Sequence, residues 1–347
     1  MRDTTAPIRV AIVDDSPTIR RLVALELARH PDISLVGEAE HPYQARVMIK
    51  SLNPDVLILD VEMPHMNGLE FLQKIMTLRP MPVLMFSSLT RRGARDAVEA
   101  LALGAVECIG KTANVATDGT LQQLPAMIRM AAEARIATVA REKPAEAATG
   151  YRNRGRIILI GSSTGGVDAL EQVLSGFPTT CPPTLITQHM PAEFLRSFTA
   201  RMNNLTAPRV KLAQEGDVLE DGTVYVAPGG DFHLALSCGA RLCCHLDGGE
   251  KVSGHRPSVD VMFRSALPVA NRVAAAILTG MGSDGARAMC ELRAAGARTI
   301  AQDEETSTVF GMPRVALELG GAESAVPLGR VAETLLDLCT QPGLQTA

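Results

Sequence analysis

The spacing of its apolar runs most constrains how this chain can fold. Near-continuous apolar stretches, IRVAIV, ISLVGEA, DVLILD, PVLMF and AVECI, recur early and alternate with amphipathic stretches such as SPTIRRLVALELARH. A strand apolar on both faces must be covered on both faces, and strand–helix alternation provides that cover in a parallel sheet. Ser16 and Pro17 suit the N-cap and first helical position of the first helix. A last helix is expected from about Leu121 to Arg141. REKPAEAATGYRNRG, Arg141 to Gly155, then carries no apolar periodicity and reads as a linker. The alternation resumes through RIILIG, TLITQHM, TVYVAP, HLALS, AAAILTGMG and ARTIAQD, with helices expected at VDALEQVLSGF and DGARAMCELRAAG. The chain has 347 residues, and single cores seldom grow past roughly 250–300. The expected organisation is two doubly wound α/β domains, residues 1–128 and 156–347, with 129–155 as helix end and linker.

Charge and composition exclude several functions. A formal net charge of -4, no tryptophan and 3% aromatic residues do not make a nucleic-acid-binding surface, which shows as a basic stripe with stacking platforms. No basic recognition helix follows the linker. The seven cysteines, Cys108, Cys181, Cys238, Cys243, Cys244, Cys290 and Cys339, are scattered and include no C-x-x-C pair. Neither a disulfide framework nor a zinc site is expected, and reduced thiols fit a cytoplasmic protein. MRDTTAPIRVAIVDDS lacks a signal-peptide core, and no apolar run reaches about 18 residues, so no membrane insertion is expected.

In open parallel sheets the ligand crevice lies beyond the carboxyl ends of the strands. In the first domain those ends carry Asp14 and Asp15, Asp60, Ser87 and Lys111. Carboxylates about 4 Å apart repel by roughly 4 kcal/mol at an effective dielectric near 20, so such a cluster needs a cation, and oxygen ligands suit magnesium. A carboxylate beside magnesium can accept a phosphoryl group. Asp60 is then the nucleophile; Asp14, Asp15, Asp60 and the Glu62 carbonyl are metal ligands, and Ser87 and Lys111 support the phosphoryl group. Pro64 and Gly68 shape the turn in DVEMPHMNG. VDDS, LDVEMPHMNG, MFSS and GK, in this order, resemble response-regulator receiver domains, which implies a flavodoxin-like sheet over residues 8 to about 128. The sequence departs from that family at Cys108, near which receivers carry an aromatic switch residue, and at Thr112, where they carry proline.

ILIGSSTGGVDAL poses the central question of the second domain. It lacks the lysine of a phosphate-binding P-loop and the second glycine of a dinucleotide fingerprint. It fits a nucleophile on a strand-to-helix turn, where glycines permit the bend and the helix start faces an oxyanion. The strand-end rule adds His189 in TLITQHMP as base and Asp284 in ILTGMGSDG as its orienter. His233 and His255 are rival bases, His255 in a polar loop and His233 before an apolar strand. IGSSTGG, ITQHMP, VYVAPGG, HRPSVDVMFRS, ILTGMGSDG, TIAQDEETS and FGMPRVA resemble the catalytic domain of chemotaxis receptor protein-glutamate methylesterases over residues 156 to about 320. That resemblance implies a Rossmann-like parallel-sheet hydrolase domain with Ser163 as nucleophile, His189 as base and Asp284 as orienter. It also implies the Met281 amide as oxyanion donor and Thr164 as support.

The implied activity is hydrolysis of glutamate γ-methyl esters, and deamidation of glutamine, on methyl-accepting chemoreceptors, with no metal in the catalytic domain. A sensor histidine kinase is the implied phosphodonor, and a receiver that blocks the triad until phosphorylated is the implied control. The competing expectations are an esterase of the same chemistry in a non-motility pathway, and a binding protein without catalysis.

Overall fold

The computed structural model describes residues 6–63, 66–88, 90–111, 119–136 and 151–340. Pro64, Thr112 and residues 141–150 of the expected linker lie outside the described residues. The chain divides into two compact units between residues 138 and 139.

The first unit is a five-stranded parallel sheet: β1 (Ile8–Val13), β2 (Ile33–Ala39), β3 (Val56–Asp60), β4 (Val83–Ser88) and β5 (Glu107–Lys111), in the order β2-β1-β3-β4-β5. Helices α1 (Pro17–Leu27), α2 (Pro42–Leu52), α3 (Gly68–Leu78), α4 (Arg91–Ala102) and α5 (Thr120–Glu133) connect or follow the strands. Ser16 caps α1 by accepting from the Ile19 amide, with Pro17 in the first turn, as its sequence predicts. The final helix ends at Glu133, short of the expected Arg141, and Ala134 already has extended backbone. Val56 to Leu59 are wholly buried, as a central strand covered on both faces requires. The strand order switches sides at β1, with β2 on one flank and β3 on the other, so the crevice opens beyond the ends of β1 and β3.

The second unit holds seven parallel strands in the order β14-β13-β12-β6-β7-β9-β8. They are β6 (Ile157–Ser162), β7 (Thr184–Gln188), β8 (Arg209–Leu212), β9 (Thr223–Val226), β12 (Val273–Ile277), β13 (Arg298–Gln302) and β14 (Ser324–Val326). The segment HLALS is a strand, β10 (His233–Cys238), but lies outside this sheet and pairs antiparallel with β11 (Leu242–Asp247). A three-residue turn joins the two, too short for a parallel crossover. The helices are α6 (Gly166–Ser175), α7 (Ala192–Leu205), α8 (Val259–Ser265), α9 (Ala286–Ala294), α10 (Met312–Glu318) and α11 (Leu328–Thr340).

Val259, Met262 and Phe263 of α8 are fully buried in a core shared with β6, β12 and the hairpin. Each such side chain contributes about 1.5–3 kcal/mol of burial. Tyr151 to Gly155, read as linker, is fastened to this unit. Tyr151 donates to the Leu336 carbonyl, Asn153 to Asp221, and the Gly155 carbonyl accepts from Arg272. Among the described residues no helix is long and apolar enough to cross a membrane, and all seven cysteines are free.

Candidate active site

The first unit gathers Asp14, Asp15 and Asp60 so that one carboxylate oxygen from each lies within 4.8 Å of the others. Lys111 Nζ reaches from the end of β5 to Asp14 Oδ2 at 2.7 Å and Asp60 Oδ1 at 2.8 Å. Burial pushes the Asp60 carboxyl up to about 6 against the pull of Lys111, with Asp14 adding to the rise. Charge there therefore depends on cations. Three hard oxygen donors with one amine match a magnesium site. Ser87 is not hydrogen-bonded into this cluster. Its hydroxyl donates to the Gly93 carbonyl at 2.8 Å, while Ser88 donates to Glu62. Gly68 is forced by packing, because a Cβ there would sit 2.0 Å from the Asp60 carbonyl oxygen. Cys108 is buried, and its thiol is held well above its usual range by that burial and by Glu107.

In the second sheet the chain leaves β6 at Ser163, β7 at His189 and β12 toward Asp284. β6 lies between β7 and β12, with Ser162 level with Gln188 and Gly161 level with Ile277. The three turns therefore share one crevice at the carboxyl edge. Asp284 is buried and accepts four hydrogen bonds. They come from His189 Nε2 at 2.8 Å, Ser258 Oγ at 2.8 Å, and the amides of Val259 at 2.7 Å and Asp260 at 3.2 Å. Burial pushes its carboxyl up, but the His189 bond and those donors outweigh it and hold it below the usual range. An ionised Asp284 can only accept, so His189 carries its proton on Nε2 and presents the Nδ1 lone pair.

That Nδ1 is buried and has no hydrogen-bond partner among the described residues. The Ser163–His189 hydrogen bond is thus not formed, as is common where catalytic contacts tighten only with substrate. One face of the His189 ring is covered by His255, parallel within 7° at 3.8 Å between centroids. Burial lowers the His255 pKa to about 4, with His189 contributing. His255 is therefore held neutral against the His189 ring.

His233 is not a base. Its Nδ1 accepts from the Ser258 amide at 3.1 Å, so its Nε2 donates to the Glu250 carbonyl at 3.0 Å. Both ring nitrogens are committed to holding the loop that brings Ser258 to Asp284.

The two adjacent serines separate clearly. Ser162 is fully buried and donates to Gln188 Oε1 at 2.6 Å, whereas Ser163 is partly exposed. The Ser163 amide donates to the Thr279 carbonyl. Thr164 is buried, and its carbonyl accepts from Thr279 Oγ1. The Gly280 carbonyl accepts from both Gly311 and Met312, and among the described residues the Met281 amide has no backbone acceptor. Ser258, Gln188 and Thr279 escaped the sequence reading. Each acts through short polar contacts between distant segments and carries no motif of its own.

Fold and site together define a class: a response-regulator receiver carried on one chain with a doubly wound unit of hydrolase type. Residues 10–117 match the response regulator receiver domain family, and residues 158–335 match the CheB methylesterase family. The chain is 51% identical over 340 residues to protein-glutamate methylesterase/protein-glutamine glutaminase 1 of Caulobacter vibrioides, covering 96% of this chain and 99% of that one. It is 48% identical over 344 residues to the corresponding Agrobacterium fabrum protein, covering 97% and 98%. The crystal structure of the Thermotoga maritima CheB methylesterase catalytic domain matches with a TM-score of 0.52 at 37% identity, covering 53% of this chain and 98% of that one. The chain belongs to the protein-glutamate methylesterase/protein-glutamine glutaminase family.

Proposed function

We propose that this chain is a phosphorylation-regulated, cytoplasmic protein-glutamate methylesterase that also deamidates glutamines on methyl-accepting chemoreceptors, giving sensory adaptation in chemotaxis. The observation that carries the reading is the 2.8 Å bond from His189 Nε2 to a fully hydrogen-bonded Asp284, which leaves Nδ1 as the proton acceptor at the nucleophile turn.

Ser163 Oγ attacks the γ-ester carbonyl while His189 Nδ1 takes its proton. Asp284 stabilises the imidazolium that forms. The Met281 amide faces the oxyanion, and the start of α6 adds its positive dipole end. His189 returns the proton to the departing methoxide, which leaves as methanol. Water, deprotonated by the same nitrogen, then cleaves the acyl-enzyme to the glutamate carboxylate. With glutamine the leaving group is ammonia and the residues serve unchanged.

In the receiver unit, Asp14, Asp15, Asp60 and the Glu62 carbonyl would hold magnesium, which supplies charge neutralisation for an incoming phosphoryl group. Asp60 is the acceptor, Lys111 sits against it, and a sensor histidine kinase is the donor. Ser87 would exchange its bond to Gly93 for one to the phosphoryl group.

The test is methanol release from methylated chemoreceptor in membranes. The wild-type chain should release it and Ser163→Ala should not. Absence of methanol with the phosphorylated wild type would remove the proposal.

A further inference from the structure

We infer that Gln188 is the positioning residue that sets the distance between nucleophile and base; the inference rests on the hydrolase reading of Ser163 and His189. Gln188 is the last residue of β7, is 2% exposed, and lies level with Ser162 across the sheet. Its side chain makes three hydrogen bonds. Oε1 accepts from Ser162 Oγ at 2.6 Å, and Nε2 donates to the Ser163 carbonyl at 2.9 Å and to the His189 carbonyl at 3.1 Å. The amide orientation follows from chemistry, because only the NH2 end can face two carbonyl oxygens.

These bonds link the two turns that matter. The peptide groups of Ser163 and His189 are both bonded to one nitrogen, and a fourth bond, from the His189 amide to the Ser162 carbonyl at 3.1 Å, closes the link. The Ser163 carbonyl also accepts from the Gly166 amide at 2.8 Å. Gly166 itself lies so near that a Cβ there would stand 2.0 Å from Gln188 Oε1. The side chain occupies the space that a larger residue at 166 would need and is tied at both ends of its amide, so a change in its shape moves both turns together. Ser162, with its proton committed to Oε1, belongs to this frame and not to the chemistry. Ser163 and His189 are not hydrogen-bonded in this state, so the productive approach is a small closing movement. Its end point is set by the frame. Misplacement by about 1 Å can lower turnover by 10²-fold.

Gln188→Met keeps length and approximate volume but removes all three bonds. The expected result is a fall in kcat of about 10- to 100-fold, KM within twofold of wild type, and slower labelling of Ser163 by a fluorophosphonate probe. Gln188→Glu places an anionic oxygen against two carbonyls and regains one donor when protonated. Its kcat relative to wild type should climb as pH is lowered from 8 to 6. Ser162→Ala loses one bond and should lower kcat about threefold to tenfold.

A Gln188→Met protein with native circular dichroism and kcat less than fivefold below wild type would overturn the inference, as would a loss confined to KM. If Gln188→Met does not fold, the Gln188→Glu ratio decides: a rise at lower pH supports the frame and a flat ratio refutes it. An inert wild type sinks the hydrolase reading itself. An active wild type matched by Gln188→Met sinks this inference alone.

Discussion

Ser162 and Ser163 stand side by side, yet their hydroxyls face different chemistry. Ser162 is fully buried and its proton is held by Gln188, whereas Ser163 is partly exposed at the crevice. Ser163→Ala should lose about 10⁴–10⁶ in turnover, measured as methanol release, and should also abolish fluorophosphonate labelling. His255 yields a prediction in pH. Its folded value of about 4 lies below the unfolded value near 6.5. Between those values the unfolded chain binds a proton that the folded chain does not, so this contribution is intact above 6.5 and is lost as pH falls toward 4. Urea midpoints of wild type should drop across that window, and His255→Gln should flatten the drop. An unchanged slope in the variant would contradict the assignment. Ser163 and His189 could be picked out as candidates because each directly follows an apolar strand, whereas Asp284 stands in a turn beyond β12, after Ile277. The stack of His255 on His189 was not legible, since a loop residue's partner depends on how the loop folds back. The sequence suggested His255 as a rival base, and the structure stacks it on the His189 ring.

Among elements, close approaches decide more than propensities do. The start of α3 lies against β3 so tightly that Gly68 has its Cβ position 2.0 Å from the Asp60 carbonyl oxygen. Gly68→Ala should destabilise the receiver unit by about 1–3 kcal/mol through forced backbone displacement. A chemical-denaturation midpoint read from receiver signals checks this, and an unshifted midpoint would mean that the turn yields freely. The strands β1 to β5 and the middle strands β6, β7, β9, β12 and β13 were legible from near-continuous apolar runs. β8, β11 and β14 were not. RVKL is short and mixed, LCCHLD carries partly exposed residues, and SAV is a three-residue edge strand. HLALS reads as a strand from its apolar run, which says nothing about which sheet it joins.

At the scale of the whole molecule, two sheets carry two chemistries, each at its own carboxyl edge. If the receiver governs the hydrolase, acetyl phosphate with magnesium should raise the rate of methanol release, and Asp60→Asn should abolish that increment. Equal wild-type rates with and without acetyl phosphate would remove the gating. The crevice also bears on which bonds can be broken. The His189 side chain is only 6% exposed and one of its faces is covered by His255. If His189 serves as the acid, a departing group must collect its proton at a buried ring nitrogen beside the His255 face. On that reading small leaving groups such as methanol and ammonia suit the enclosure, and esters of branched or aromatic alcohols should be hydrolysed more slowly.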